Sequence, residues 1–418
     1  MKDLLVNDIE KAKSLLENIN WNFYQKISLS NSEIHPFNCR KHHWYPSTFI
    51  PEIPFTLIEI LTLKGAIVFD PFAGIGTTYF QALLLERRPL TVEICRVAIE
   101  FMKSLFILFN PEIDLNDLRV NFKKIINEFD PNIEYISKTS NHILIDLLKP
   151  WYTTNTLNQL SFLFIKNENN EEILVKSVMK IIISGILKTV SCQDRGWGCI
   201  ADNVLPKKEQ MKDKNVLDLF SKHLNLLFND ISVHLKNVTN KYEKIYKELS
   251  IKNTIFYEDI NTFNGIPDNF VDLVITSPPY PNMTDYVTSQ RLSYYFLGID
   301  LRNKNNLKEI DLEIGSRRKR TLKNTGELYL SYMNNANKLI SNKIKTGGYA
   351  CFIMPVFDMY NKNNTNRKFI IQEMLSNLEV CDLVREGEYE RILPVKRRSH
   401  NIKWATLEKE KIYFFRKV

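Results

Sequence analysis

Residues 65–94 read GAIVFDPFAGIGTTYFQALLLERRPLTVEI, and the order of residue types within them decides the fold. A short β-rich run ends at Asp70 and Pro71. A turn carrying Gly74 and Gly76 follows, then an apolar-periodic helix, and a second β-rich run closes at Glu93. That is the grammar of a βαβ unit. Parallel α/β sheets bind ligands at the carboxyl ends of their strands, so this turn is where a nucleotide would lie, and the two glycines let the backbone turn tightly and approach it. The third glycine of a dinucleotide fingerprint is replaced by Tyr79, which argues against a pyrophosphate. Glu93 could take hydrogen bonds from two ribose hydroxyls, and Asp259, at the end of a third candidate strand, could accept a proton from an adenine amino group.

Outward from this unit, the α/β grammar resumes only at NTIFYEDI (253–260), VDLVITSPPY (271–280) and GGYACFIMPV (347–356), each a short apolar run ending in turn or polar residues. The tail, from LEVCDLVREGEYERILP to KIYFFRKV, predicts two final strands, antiparallel at the sheet edge. Between Cys95 and Ser250 the long apolar-periodic stretches carry few strand signals and predict a helical insertion. The polar segment MYNKNNTNRK (359–368) reads as a mobile loop. The expected organisation is residues 1–100 for an N-terminal helix and the first half of an α/β core, 101–250 for the insertion, and 251–418 for the second half.

The 418 residues suffice for a sizeable core, and 44% hydrophobic with 25% charged residues is ordinary for a soluble protein. The 56 basic residues against 48 acidic give +8, a mild bias that permits a polyanionic partner without demanding one. The N-terminus spaces its apolar residues like an amphipathic helix and lacks the block of a secretion signal, and Lys180 and Lys188 interrupt the longest apolar stretch. A cytoplasmic protein without a membrane span is expected. Cysteines at 39, 95, 192, 199, 351 and 381 form no CxxC pair and have no histidine at finger spacing, so buried thiols are expected rather than a disulfide framework or a metal site.

The peptide TSPPY (276–280) gives the apolar run 271–276 an unusual ending, because two prolines stiffen it and an aromatic residue follows. Together, DPFAGIGTT (70–78) and TSPPY resemble motifs I and IV of the DNA amino-methyltransferases that use S-adenosylmethionine. The Ser-Pro-Pro-Tyr form is similar to that of the N4-cytosine enzymes. HWYPSTFIPEIP (43–54) resembles motif X, which lines the methionine end of the cofactor in this family.

The resemblance implies a Rossmann-like class I methyltransferase: a mixed seven-stranded sheet flanked by helices, with a large helical insertion. It further implies cofactor contacts at His43, Tyr45, Phe49, Asp70, Pro71, Phe72, Ala73, Gly74, Gly76, Thr77, Glu93, Asp259 and Thr276, a catalytic set of Ser277, Pro278, Pro279 and Tyr280, and S-adenosylhomocysteine as product, with no metal. The implied chemistry is alignment and electronic adjustment. The Ser277 hydroxyl and the Pro278 carbonyl would accept the two amino N–H bonds and free the nitrogen lone pair for in-line attack. The target base must be flipped out of the duplex, and Tyr280 would offer a face on which it stacks. Methylation at cytosine C5 needs a thiolate, usually presented after a proline, and the chain has no Pro-Cys dipeptide.

Several positions depart from the family pattern. Trp44 and Thr48 stand where many relatives have proline and lysine, so a direct lysine contact is not carried over, and Ala73 stands in place of a common cysteine. The motif order is X, I, insertion, III, IV. The insertion is large enough for target recognition and equally suits a structural cap. Basic runs at GSRRKR (315–320) and LPVKRRSHN (393–401) supply Arg317, Arg318, Lys319, Arg320, Lys396, Arg397 and Arg398 as candidate phosphate contacts, and Arg195 with Trp197 would suit a loop entering a groove.

The expected activity is methyl transfer to the N4 amine of cytosine in double-stranded DNA, in a restriction-modification or phage-defence setting with a cognate restriction endonuclease or other defence proteins as partners. An N6-adenine DNA enzyme uses the same geometry, and an RNA guanine-N2 enzyme shares the motif order. A non-catalytic DNA-binding subunit would keep only the fold.

Overall fold

In the computed structural model, residues 9–22, 35–193, 205–303, 308–321, 324–357, 362–393 and 407–418 are described. Seven strands form one sheet: β1 (Ile67–Asp70), β2 (Arg88–Glu93), β3 (Ile255–Tyr257), β4 (Val271–Thr276), β5 (Ile344–Val356), β6 (Leu383–Ile392) and β7 (Lys409–Lys417). Their order is β3-β2-β1-β4-β5-β7-β6. The first five pair in parallel, while β7 inserts between β5 and β6 and runs antiparallel to both. The two final strands are therefore present as expected, with β6 rather than β7 at the edge.

Successive residues of the central strands feed opposite cores. Val68, Leu273, Ile275 and Cys351 face a layer holding Leu16 of α1 (Ile9–Glu17) and Ile53 and Leu57 of α2 (Glu52–Leu61). Phe69, Val274, Ala350 and Phe352 face the other way, onto a second layer. Apolar side chains on both faces of a strand are the mark of a sheet covered on both sides.

The chain passes from β1 through α3 (Thr77–Leu84) to β2, then into α4 (Arg96–Leu108). It returns to the sheet at β3 only after α5 (Leu115–Asn127), α6 (Ile145–Leu148), α7 (Thr154–Asn169), α8 (Ile173–Val190), α9 (Val216–Leu235), α10 (Asn240–Glu248) and α11 (Ile251–Thr254). These helices share their core with the α/β unit: Phe80 and Leu83 of α3, Met102 and Leu105 of α4, Ile182 of α8 and Phe228 of α9 belong to one continuous apolar cluster. The packing is close enough that a Cβ on Gly185 of α8 would lie 2.3 Å from the His42 carbonyl oxygen.

After β4 come α12 (Tyr286–Ser289), α13 (Arg291–Phe296), α14 (Lys308–Leu312) and α15 (Thr325–Lys343), and α16 (Lys362–Val380) links β5 to β6. Met333 and Ile340 of α15 and Met374 and Leu378 of α16 build the second layer. The mobile loop expected over 359–368 is corrected here, because from Lys362 onward the polar tract is the first part of α16. Tertiary anchoring of its later turns carries the helix through a stretch of poor intrinsic propensity.

Candidate active site

The sheet order places β1 between β2 and β4. The chain winds to one side through β2 and β3 and then crosses back to β4, and such a reversal opens a crevice at the carboxyl ends of the strands. A cleft with about 770 Å³ of space, part of it open to solvent, lies there. Its walls combine Tyr45, Ser47 and Phe49, the turn from Pro71 to Ile75 with Thr77, Glu93, and Ser277 with Pro279. Segments far apart in the chain thus meet.

Gly74 and Gly76 divide the work of the turn. Gly74 has φ 53° and faces the cleft, where an added Cβ would stand 3.2 Å from the Tyr45 ring. Gly76 has φ 81°, and its Cβ would fall 2.8 Å from Met102 Sδ, so its lack of a side chain serves packing of α4 rather than approach to a ligand. Beneath the turn, Asp70 is buried. Its Oδ1 accepts from the Phe72 N–H at 3.1 Å and the Thr276 hydroxyl at 2.8 Å, while Oδ2 has no hydrogen-bond partner. Burial pushes its pKa up to about 6 against those donors.

Glu93 holds the other side of the turn. One carboxylate oxygen accepts from Gly74 N–H at 2.6 Å, and the other accepts from Ile94 N–H at 2.9 Å and Cys95 N–H at 2.8 Å. Burial still wins over these three donors and raises its pKa to about 7. Asp259 caps a short turn through Asn261 N–H at 2.9 Å and accepts from the Tyr332 hydroxyl at 2.6 Å. Its neighbours Glu258 and Ile260, with Tyr332, line the cleft.

Not every expected residue reaches the cleft. His43 is a correction: it is buried against α8 and α4, with Nε2 2.7 Å from Ser184 Oγ and its ring 5.2 Å from that of Phe101, and burial lowers its pKa to about 4. Asp70, Gly76 and Thr276 act one layer below the walls. Tyr280 is 8% exposed and is not part of the cleft wall, since its hydroxyl is drawn inward to Glu410 at 3.1 Å and receives a hydrogen bond from Ser277 at 3.2 Å. Pro278 is also buried, and the Pro279 carbonyl accepts from the Tyr329 hydroxyl at 2.9 Å.

Residues outside the motifs complete the walls. Tyr286 stacks on Tyr45 with ring centroids 5.9 Å apart. Glu313 is 2% exposed and lines the cleft; its Oε1 accepts from the N–H groups of Tyr286 and Val287 at the start of α12, while Oε2 has no partner. Burial pushes its pKa up to about 8. Cys95 also lines the cleft, and burial raises its thiol to about 12, which keeps it protonated. Ser47 Oγ lies 2.8 Å from Thr284 Oγ1, and Gln290 donates to the Trp44 carbonyl at 3.0 Å, so the 43–49 segment is fastened to the loop after Tyr280.

Among the basic residues, Arg317 and Arg318 are exposed and begin a short turn of helix, Arg317–Thr321, that contains Lys319 and Arg320. It follows Gly315, whose Cβ would lie 2.6 Å from the Tyr280 carbonyl oxygen, so this cluster adjoins the SPPY peptide. Arg195, Trp197, Lys396, Arg397 and Arg398 lie outside the described residues. Among the described residues, no group of three or more His, Cys, Asp or Glu side chains could hold a metal ion, and no helix is long and apolar enough to cross a membrane.

The family model for DNA methylases of the N6/N4 type matches residues 7–107, which hold the 43–54 segment, the glycine turn and Glu93. The type II methyltransferase M.BsoBI of Geobacillus stearothermophilus is 28% identical over 325 residues, covering 73% of this chain and 62% of that protein. Over residues 7–107 the chain is thus similar to the N6/N4 DNA methylases, and over a longer stretch to a type II methyltransferase. Other relatives are the type II methyltransferases M.AvaI of a Nostoc species and of Anabaena variabilis, each 27% identical over 332 residues, 72% of this chain and 64% of theirs. The chain spans less than two thirds of the length of the curated relatives it matches. The family match ends within α4, so Ser277 and Glu313 lie beyond it.

Proposed function

We propose that this protein is a Rossmann-like class I methyltransferase that methylates the N4 amine of a flipped cytosine in double-stranded DNA, with S-adenosylmethionine as methyl donor, as the modification enzyme of a restriction-modification or phage-defence system. The observation that carries the reading is the single cleft whose walls include Tyr45, Gly74, Glu93, Ser277 and Pro279. The residues fit the cofactor. Gly74 lines the cleft beside the Tyr45 ring, and Glu93 Oε2, with one N–H donor, retains a lone pair for a ribose hydroxyl. When bound, S-adenosylmethionine supplies an electrophilic methyl on a sulfonium.

In this reading Tyr45, Phe49 and Phe72 enclose the cofactor, Glu93 binds the ribose, and Ile260 with Asp259 receives the adenine. Ser277 and Pro278 accept the N–H bonds of the target amine, which holds the nitrogen lone pair along the line of transfer. The exposed Arg317 and Arg318, with Lys319, grip phosphates beside the flipped base. Ser277, in place of the Asp or Asn more usual in N6-adenine enzymes, favours cytosine. Adenine N6 is the second reading, since the same acceptors serve that amine.

Incubation of the protein with unmethylated duplex DNA and S-adenosylmethionine, followed by nucleoside mass analysis, should reveal N4-methylcytosine. N6-methyladenine without N4-methylcytosine would replace the first reading with the second. Transfer to RNA in preference to duplex DNA would overturn both.

A further inference from the structure

Ser277, Tyr280 and Glu410 form a hydrogen-bonded chain that runs inward from the cleft wall. Ser277 Oγ donates to Tyr280 Oη at 3.2 Å, and Tyr280 Oη lies 3.1 Å from Glu410 Oε1. The direction follows from proton counting. A carboxylate only accepts, and a phenol has one proton to give, so Tyr280 donates to Glu410 and must accept from Ser277. The competing acceptor, the Ile353 carbonyl, is more distant at 3.5 Å and uncharged. Fully buried Arg391, with Nε 3.7 Å from Glu410 Oε2, places a cation beside that carboxylate. Ser277 Oγ, its proton committed inward, presents only lone pairs to the cleft it lines.

We propose that Glu410 is the positioning residue and proton sink of the methyl transfer, acting through Tyr280 on Ser277. The inference rests on the proposed function. As the amine nitrogen forms its bond to carbon, sulfur keeps the S–C electron pair, and the nitrogen becomes positively charged and must lose a proton. A serine hydroxyl alone is too weak a base to hold that proton. Along the chain, the N–H proton passes to Ser277 Oγ, the serine proton to Tyr280 Oη, and the tyrosine proton to the Glu410 carboxylate, which later returns it to solvent. Charge is conserved and no further reactant is needed. The inward turn of Tyr280 thereby gains a chemical reason.

The test is single-turnover transfer of labelled methyl from S-adenosylmethionine to unmethylated genomic DNA by the wild type, Tyr280→Phe, Glu410→Gln and the double variant. Calorimetric titration with S-adenosylhomocysteine runs alongside. Each single variant should slow transfer by about 10²-fold with unchanged cofactor affinity, and the double variant should be no slower than either, because all interrupt one chain. With S-adenosylmethionine saturating at every pH, so that Glu93 does not limit binding, the pH profile of the wild-type rate should differ from that of Glu410→Gln. A Tyr280→Phe protein with wild-type rate, or single effects that multiply in the double variant, would overturn the relay while leaving the function intact. If Glu410→Gln does not fold, Tyr280→Phe alone decides. A wild type that transfers no methyl to any DNA would sink the proposed function and the relay together.

Discussion

The Thr276 hydroxyl donates to Asp70 Oδ1 across 2.8 Å, joining the last residue of β4 to the last residue of β1. Both residues are buried, and each immediately precedes a peptide that lines the cleft. This bond fixes the glycine turn relative to Ser277. Removing it with Thr276→Val leaves a buried carboxyl oxygen short of a donor, which costs about 1–3 kcal/mol. Urea unfolding should show that loss, and methyl transfer should fall more than cofactor affinity as the two turns drift apart.

Glu93→Ala and Ser277→Ala should separate binding from chemistry. The first should weaken S-adenosylhomocysteine binding about ten- to hundredfold, roughly 1.4–2.8 kcal/mol, by calorimetry. The second should leave that affinity in place and lower kcat. Equal loss of affinity in both would contradict the division of the cleft.

Three carboxyls in and beneath the cleft, Asp70 and Glu313 buried and Glu93 half-buried, give the pH dependence a sign. Asp70, Glu93 and Glu313 have pKa values raised to about 6, 7 and 8 from ordinary values near 4. The folded state thus holds protons that the unfolded chain has released, so stability falls as pH rises from about 4 to 8. Binding runs the other way. A ribose hydroxyl donates best to ionised Glu93, so cofactor affinity should rise through pH 7, and Glu93→Gln should flatten that rise in a calorimetric pH series.

Gly315 has φ 69° and no room for a Cβ beside the Tyr280 carbonyl. Gly315→Ala should displace the SPPY peptide and cost about 1–3 kcal/mol in thermal unfolding. Turnover should drop steeply, because the displaced peptide carries Ser277.

Arg317→Ala should weaken DNA binding by a similar factor for all sequences, and it should lower the slope of log affinity against log salt by about 1. Fluorescence anisotropy with labelled duplexes at several salt concentrations measures both. A change confined to one sequence would instead mean that Arg317 reads a base.

The sheet was legible because its signals are local. Asp70-Pro71 with two glycines, Glu93 at a strand end and the stiff Ser277–Tyr280 peptide each announce themselves within ten residues. Glu313, Tyr286 and Tyr332 do not: each sits in a stretch of ordinary composition and reaches the cleft only through the packing of residues after β4. His43 misled for the converse reason. Its motif runs beside the cleft wall, but α8, from the insertion, packs against it and the ring lies away from the cleft. Tyr280 was legible as a residue and not as an orientation, which depends on Glu410 in β7. The polar start of α16 follows the same rule, since only its later turns reveal the anchoring that makes it helical.

The pairing of β1 with β4 also bears on how the protein is made. Phe69 meets Val274, so a ribosome must deliver more than two hundred further residues before the central strand gains its second neighbour. Until then Val68 and Phe69 expose an apolar edge, and closure over so long a loop is slow. The helices built between β2 and β3 emerge first and already share a core with α3 and α4, so they can shelter that half-sheet during synthesis. Deleting them should yield nascent chains that aggregate or depend on a chaperone, whatever becomes of the catalytic groups.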